Sequence, residues 1–579
     1  MATKYWLFIL VQFCSTELFF VRANEALRVC LPELGCLQGK YMPGLRTEKF
    51  EAFLGIPFAT PPIGELRFQN PEPLTAWNNS TLDATKPKPQ CLQKNYFAPL
   101  WPIFGDEDCL YLNIYRPINP LPVIFYIHGG CFIFGSIHPQ LLGPEHFMDT
   151  GEVILVMVAY RLGAFGFLAS GDEVMPGNFG LKDQNLALQW VNQYITYFGG
   201  DFKRITIAGH SAGGSSVQFH MLYELSKGLF TRAITMSGSA LAPYASMQPK
   251  PLQVAIKLAQ TVGIANATQL NTTELLRALQ TMDSLVILNA GDAFKSWFTT
   301  PLVNFSPNIE QANWQNAFIT DDPETRIKSG NFQHVPWMTG FVPSEGEGSA
   351  LTLDIIENQV LRTELNQNFN EILKTILQFT SNEKAQFGET TMKMVIDEYF
   401  QGMHELNNAT ALGFRQIVGD LAFHYPFYKA IKYYLNYPQP VYIMKFNYSG
   451  LYSYTMLCRS CNGKNYGVIH IDDLLYLFRQ PFYFPKDYDR DSSEAAVVQS
   501  LVGSYVEFAK NGFLNHSALY KPCYKSTFEN TPDGICEYVS YINDGRSYKV
   551  VGDNKFNLKR MHFWESIMED VNDDDETAK

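Results

Sequence analysis

The stretch Arg204-Ile-Thr-Ile-Ala-Gly-His-Ser-Ala-Gly-Gly-Ser-Ser216 constrains the fold of this chain more than any other. A short β-branched run enters a Gly-x-Ser-x-Gly turn, and a helix-forming segment leaves it. A strand that stops on so sharp a turn holds the hydroxyl of Ser211 clear of the sheet. Gly209 and Gly213 carry no side chain where strand and helix pass close together. The helix that starts near Ala212 points its free N–H groups and positive dipole end at the reacting centre. A pattern of this kind needs a sheet below it and helices around it.

Alternation along the rest of the chain supplies them. Pro122-Val-Ile-Phe-Tyr-Ile127 and Val153-Ile-Leu-Val-Met-Val-Ala159 are continuous apolar runs of the kind buried on both faces of a sheet. Further strands are expected at 233–236, 335–340 and 441–446. Between the second run and the Ser211 turn, Leu186, Trp190, Tyr194 and Phe198 fall on one helical face, and Gly199-Gly200 end that helix. Ser493 is expected to cap a helix that runs to Lys510 and stops at Asn511-Gly512. The chain therefore reads as one large α/β domain over 24–565 with a mixed, mostly parallel central sheet flanked by helices. Residues from about 250 to 420 are richer in helical patterns and read as a cap. Glu569 to Glu576 form an acidic tail, set off as 566–579, which reads as solvated terminus.

Several function classes are excluded early. The net charge of −12 and pI near 5.5 argue against a nucleic-acid partner. Residues 1–23 read as a secretory signal: Lys4 precedes an apolar stretch, and Ala23 supplies a small residue at the cleavage site. Gln12 and Glu17 break the run, which disfavours a membrane span, and no later segment offers about 18 uninterrupted apolar residues. Sequons at Asn78, Asn79, Asn266, Asn271, Asn304, Asn408, Asn447 and Asn515 agree with a secreted, extracellular protein. Once Cys14 leaves with the signal, nine cysteines remain, so at least one thiol is unpaired within the monomer. Local spacing suggests disulfides Cys91–Cys109 and Cys523–Cys536, with Cys30–Cys36 a further candidate. Cys458 and Cys461 have no second pair at zinc-finger spacing, so no metal site is read there.

A serine hydroxyl needs a base within hydrogen-bond reach and a carboxylate to hold that base. Of the downstream histidines, His470 in Gly467-Val-Ile-His-Ile-Asp-Asp-Leu474 sits in a loop between a glycine turn and a new apolar run. His516 lies inside a sequon and His562 in a helix-like terminus. The acid falls in Gly340-Phe-Val-Pro-Ser-Glu-Gly-Glu-Gly348, directly after a strand, where α/β sheets present functional groups. Glu345 and Glu347 both precede glycine, and chemistry alone does not separate them. His128-Gly-Gly-Cys131 follows the strand at 122–127 and offers backbone N–H groups to a developing oxyanion, together with that of Ala212.

Taken together these motifs resemble the type-B carboxylesterases of the α/β-hydrolase superfamily, on the juvenile hormone esterase-like branch of secreted insect esterases. The likeness begins at Phe53-Leu-Gly-Ile-Pro-Phe-Ala-Thr-Pro-Pro-Ile-Gly-Glu-Leu-Arg-Phe68. It continues through Glu107-Asp-Cys-Leu-Tyr-Leu-Asn113 and Gly177-Asn-Phe-Gly-Leu-Lys-Asp-Gln184 to the Ser211 turn and the Gly467-x-x-His470 loop. The resemblance implies an α/β-hydrolase fold and a Ser211–Glu345–His470 triad, with Glu345 preferred because it lies five residues after Gly340. It implies N–H donors at Gly130, Cys131 and Ala212, the Cys91–Cys109 disulfide, and ion pairs Arg67–Glu107 and Arg161–Asp183. It implies hydrolysis of a small-molecule carboxylic ester without metal or organic cofactor. Activity is expected to rise with pH as His470 deprotonates, near 6–7 for an ordinary imidazole.

The departures from the family pattern are as informative. Cys131 stands where glycine or alanine is common. His210 stands where cholinesterases carry glutamate and juvenile hormone esterases glutamine, which counts against choline esters and leaves the hormone's methyl ester as an alternative substrate. Tyr244 replaces an acyl-pocket tryptophan. Small or medium hydrophobic neutral esters are the expected substrates. A non-catalytic adhesion or ligand-binding role on the same fold is the remaining alternative.

Overall fold

The computed structural model describes residues 27–576 apart from 78–80, 98–101, 118–120, 348–351, 379–386, 459, 516, 531–533 and 546. The expected signal at 1–23 and the sequons at Asn78 and Asn79 lie outside the described residues. Eleven strands form one sheet: β1 (Lys40–Met42), β2 (Phe50–Pro57), β3 (Tyr111–Arg116), β4 (Leu121–Ile127), β5 (Ile154–Val158), β6 (Gly200–His210), β7 (Arg232–Met236), β8 (Trp337–Phe341), β9 (Val441–Asn447), β10 (Tyr538–Asp544) and β11 (Ser547–Asp553). Their order across the sheet is β11-β10-β9-β8-β7-β6-β4-β5-β3-β2-β1. Every pair from β10 to β5 is parallel, and antiparallel pairing is confined to the two margins. The expected mixed, mostly parallel sheet is therefore present. Its parallel centre is where the apolar runs sit: β5 and β8 are buried along their whole length, as helices on both faces require.

Helices fill the connections. Helix α1 (Phe179–Tyr194) continues as a 3₁₀ turn to Phe198 and ends at Gly199 in the left-handed region. Helix α2 (Ala212–Leu222) leaves the Ser211 turn fully buried. Between 251 and 419 the chain is mainly helical around β8, as the cap reading expects. There α3 (Ala411–Gly419) runs through a π-helical segment, Asp420–His424, into α4 (Tyr425–Tyr434) without a break. Helix α5 (Ser493–Asn511) is capped by Ser492, one residue before the expected Ser493, because it is the Ser492 hydroxyl that accepts the Ala495 N–H. Helix α6 (Leu558–Glu576) crosses the expected domain end at 565, so the backbone of the acidic run continues a helix.

The cross-links follow the expectations and extend them. Disulfides join Cys30–Cys36, Cys91–Cys109, Cys458–Cys461 and Cys523–Cys536, which among the described residues leaves Cys131 as the unpaired, buried thiol. Arg161 grips Asp183 through two bonds of 2.7 and 2.9 Å in full burial. Arg67 holds Glu107 at 2.7 Å and also donates to the carbonyls of Leu279, Gln280 and Met282, tying the edge of the sheet region to the cap. One expectation fails. Asn304 is buried, its amide donates to the Gly291 carbonyl at 2.8 Å, and its oxygen accepts from Lys295 at 3.2 Å, so this sequon is closed to glycosylation in the folded protein.

Candidate active site

The carboxyl ends of β4, β6, β7 and β8 converge on one point, as parallel α/β sheets dispose their loops. Ser211 caps α2 with φ 57° and ψ −126°, a strained conformation for a residue with a side chain. Gly209 is obligatory there, since a Cβ on it would overlap the Gly213 carbonyl. The turn after β4 lies against this elbow: a Cβ on Gly129 would come within 2.6 Å of the His210 carbonyl and 3.0 Å of Ser211 Cβ. The turn that carries Gly130 and Cys131 is thus packed on the elbow through Gly129. Thirteen non-glycine residues among those described have positive φ, and five of them, Cys131, Phe132, Ser211, Ser237 and Ile471, surround this point. Backbone strain concentrates where surrounding structure over-determines a functional geometry, and a β-branched residue such as Ile471 adopts positive φ only under such constraint.

Three of the expected side chains meet in line. His470 Nε2 lies 3.0 Å from Ser211 Oγ, and His470 Nδ1 lies 2.6 Å from Glu345 Oε2. The second carboxylate oxygen, Oε1, accepts the Val342 N–H at 3.0 Å. Ser344 bridges to the histidine loop, its N–H donating to the Val468 carbonyl at 3.2 Å, so the loops bearing acid and base are fastened to each other. Glu347 goes elsewhere and pairs with Arg415 at 3.0 Å.

Burial governs the electrostatics. It would raise the carboxyl of Glu345, but the hydrogen bond and charge of His470, with His424 and Ser237 beside it, outweigh that and hold it below the usual range. Burial lowers His470 below the ordinary histidine value, against the pull of Glu345, so at neutral pH its imidazole is free to accept a proton. The acid limb of any activity that depends on His470 therefore lies below that of an unperturbed imidazole. Burial also pushes the Cys131 thiol up to about 12, which keeps it a neutral thiol beside the site.

The two remaining site candidates sit close by. His210, 1% exposed, has Nε2 3.1 Å from Asp473 Oδ1, and its ring centroid is 4.9 Å from that of His470. Tyr244 is buried, accepts a hydrogen bond from Ser215 at 3.3 Å, and stacks obliquely on Phe423 at 5.5 Å. Its hydroxyl is thus engaged within the protein. Phe423 also lies against the His470 ring at 4.4 Å. Neither Phe423 nor its neighbour His424 was singled out in the sequence, because a π-helical segment leaves no periodic signature. The one legible hint was Asp420 and His424 at the i, i+4 spacing of facing helical residues. Among the described residues, no group of three or more His, Cys, Asp or Glu is placed to hold a metal ion, and no helix is long and apolar enough to cross a membrane.

Comparison with known proteins finds relatives over most of the chain. Residues 26–539 match the model of a family described as the carboxylesterase family. A juvenile hormone esterase of Tribolium castaneum is 38% identical over 498 residues, covering 83% of this chain and 82% of its own length. A carboxylic ester hydrolase of Bombus ignitus is 37% identical, covering 78% of this chain and 80% of its own. Among solved structures, juvenile hormone esterase from Manduca sexta with OTFP covalently attached superposes with a TM-score of 0.79 at 26% identity, over 94% of this chain and all of that one.

Proposed function

Since the chain belongs to the carboxylesterase family and is an ester hydrolase of the α/β-hydrolase fold, we propose that it acts through a Ser211–Glu345–His470 triad on small or medium hydrophobic neutral esters. The observation that carries this reading is the line of contacts from Glu345 through both ring nitrogens of His470 to Ser211 Oγ. His470 removes the hydroxyl proton as Ser211 attacks the ester carbonyl, and the oxyanion rests on the N–H groups of Gly130, Cys131 and Ala212. The alkoxide departs with the proton from His470. Water then releases the acid by the same route, with His470 again the base. Glu345 fixes the ring tautomer and stabilises the imidazolium that forms in each step. No step calls for a metal or organic cofactor.

The residue before the nucleophile bears on the substrate. His210 is already opposed by Asp473 and offers no free anion to a choline ester. Tyr244 presents its ring rather than its hydroxyl to the Phe423 side of the site. The juvenile hormone methyl ester is the second reading, favoured by the names of the Tribolium and Manduca relatives. A comparison of kcat/KM on that hormone, on short aliphatic esters and on choline esters separates the readings.

The route is secretory: a signal at 1–23, a mature domain at 24–565, and exposed sequons at Asn266, Asn271, Asn408 and Asn515 support it. N-terminal sequencing should begin near Asn24, and a glycosidase should shift the mass. For the chemistry, a fluorophosphonate probe should label the wild type on Ser211 and leave Ser211→Ala unlabelled. Equal labelling of the two would overturn the triad and favour an adhesion or ligand-binding role.

A further inference from the structure

Behind Glu345, on the side away from His470, lies a second buried histidine whose protonation state the hydrogen-bond partners decide. His424 ends the π-helical segment between α3 and α4. Its Nδ1 is 3.1 Å from Asp420 Oδ1, and its Nε2 is 3.2 Å from the carbonyl oxygen of Val342. A peptide carbonyl only accepts, so Nε2 must carry a proton. Asp420 does not donate in its place, because its oxygens are taken up by donors. Tyr399 Oη donates to Oδ2 at 2.8 Å, and the Arg560 guanidinium faces both oxygens, at 2.6 Å from Oδ2 and 3.2 Å from Oδ1. Asp420 is therefore a carboxylate, and Nδ1 must carry a proton too. A neutral imidazole has one N–H; two donating nitrogens make an imidazolium.

Charge balance agrees. Asp420 is fully buried and would otherwise share one anion with Arg560 from α6 while Glu345, also buried, stands nearby. With His424 cationic, two anions, Asp420 and Glu345, meet two cations, Arg560 and His424, in a region too dry to leave a charge uncompensated. The aromatic rings of Phe341 and Phe556 meet His424 edge to face at 5.8 and 5.9 Å and add no charge. His424 is also one of the groups that hold the Glu345 carboxyl low.

We infer that His424 is a positioning residue whose two acceptors hold it as an imidazolium, a cation that keeps Glu345 ionised and pins its loop through the Val342 carbonyl. Val342 also gives its N–H to Glu345 Oε1, so the two peptide groups that flank one Cα link His424 to the acid. The π-helical segment explains itself on this view. The extra residue in its turn brings Phe423 onto the His470 ring and His424 to the back of the acid loop from consecutive positions, and such bulges recur at functional sites. The role rests on Glu345 as the triad acid; the protonation state does not.

Nitrogen-15 spectra of the histidine side chains in the intact enzyme, with His424 assigned by its loss in His424→Gln, read the state directly. Both His424 nitrogens should be protonated at pH 7.5; one bare ring nitrogen overturns the inference. The pH profile of kcat/KM reads the role. In His424→Gln, which removes the cation but keeps a donor, the acid limb should move to higher pH by roughly half a unit or more, since no cation behind Glu345 then opposes protonation of His470. Its kcat should fall roughly tenfold with KM within about twofold, as for a contribution made in the transition state. Asp420→Asn, which frees His424 to lose a proton, should shift the limb the same way. An unmoved limb in both variants overturns the role. Full activity in Glu345→Gln would instead overturn the triad and would leave the His424 spectrum unchanged.

Discussion

Glu345 and Glu347 leave one short turn two residues apart and end in opposite surroundings. Glu345 turns inward under the sheet's carboxyl edge, where His470, His424 and the Val342 N–H all stabilise its charge. Glu347 turns toward Arg415 on α3, where that partly exposed guanidinium and the Ser344 side chain do not offset its burial, and its carboxyl rises to about 7. Both are buried glutamates with a cationic neighbour. The difference lies in how many donors converge on each carboxylate. Burial costs both of them; only at the first do the converging bonds and charges outweigh that cost. A carboxylate that must hold an imidazolium through a reaction has to be ionised before the reaction starts, and only the inner end of the turn meets that condition.

The hardest test exchanges charge without shape at each end. Glu345→Gln should lower kcat by roughly 10³–10⁴-fold with little change in KM, because an amide cannot stabilise the imidazolium and can select the wrong tautomer. Glu347→Gln should leave kcat within about twofold. Steady-state kinetics on a neutral ester measure both, and equal losses at the two positions would break the contrast. Glu345→Asp falls between. Its carboxylate keeps the charge but, one methylene shorter, cannot span His470 and the Val342 N–H together, and a loss of roughly 10²-fold is expected from the misplacement.

Stability should separate the two ends with the opposite sign. A carboxyl raised in the folded state binds its proton more tightly there than in the unfolded chain. The protein therefore loses stability as pH climbs from the unfolded value of Glu347, 4.5, to its folded value of about 7. Above that range the penalty is at most about 3 kcal/mol. Glu347→Gln should thus gain in melting temperature relative to the wild type between pH 5 and pH 8. Glu345 is depressed in the fold and contributes stability that is present above its unfolded value and lost as pH falls through its folded one. Glu345→Gln should therefore lie below the wild type by a constant margin between pH 5 and pH 8, a margin that narrows only as pH falls below 4.5. Parallel melting curves for the two variants would show that burial alone, rather than its compensation, sets these carboxyls.

How much of this was legible beforehand follows from the range of the interactions. The strand–turn–helix at Ser211, the glycines after β4 and the apolar runs of the parallel strands are local patterns, and each falls within one or two residues of its expected place. His470 was legible because a loop between a glycine turn and an apolar run narrows the choice. Glu345 against Glu347 was not legible from chemistry. What distinguishes them is the approach of Arg415 and His470 from distant segments, and a family pattern had to supply the preference. The pairing of His210 with Asp473, the buried state of Asn304 and the π-helical turn at Asp420–His424 are long-range or irregular, and composition and periodicity carry no trace of them.

The smallest expected effect concerns the partner of the inner glutamate. His470 must be unprotonated to act as a base, so activity falls as pH drops through its folded value. Burial moves that value down and Glu345 pulls it back up, leaving it below 6.5. The acid limb of kcat/KM on an uncharged ester should accordingly lie under 6.5, less than an unperturbed histidine would give. Raising the ionic strength should barely move it, since the groups that set it are buried and poorly screened. A limb above 7 would mean that the attraction of Glu345 exceeds the cost of burial at His470. The two ends of the turn would then differ in the partner's exposure rather than in the donors around each carboxylate.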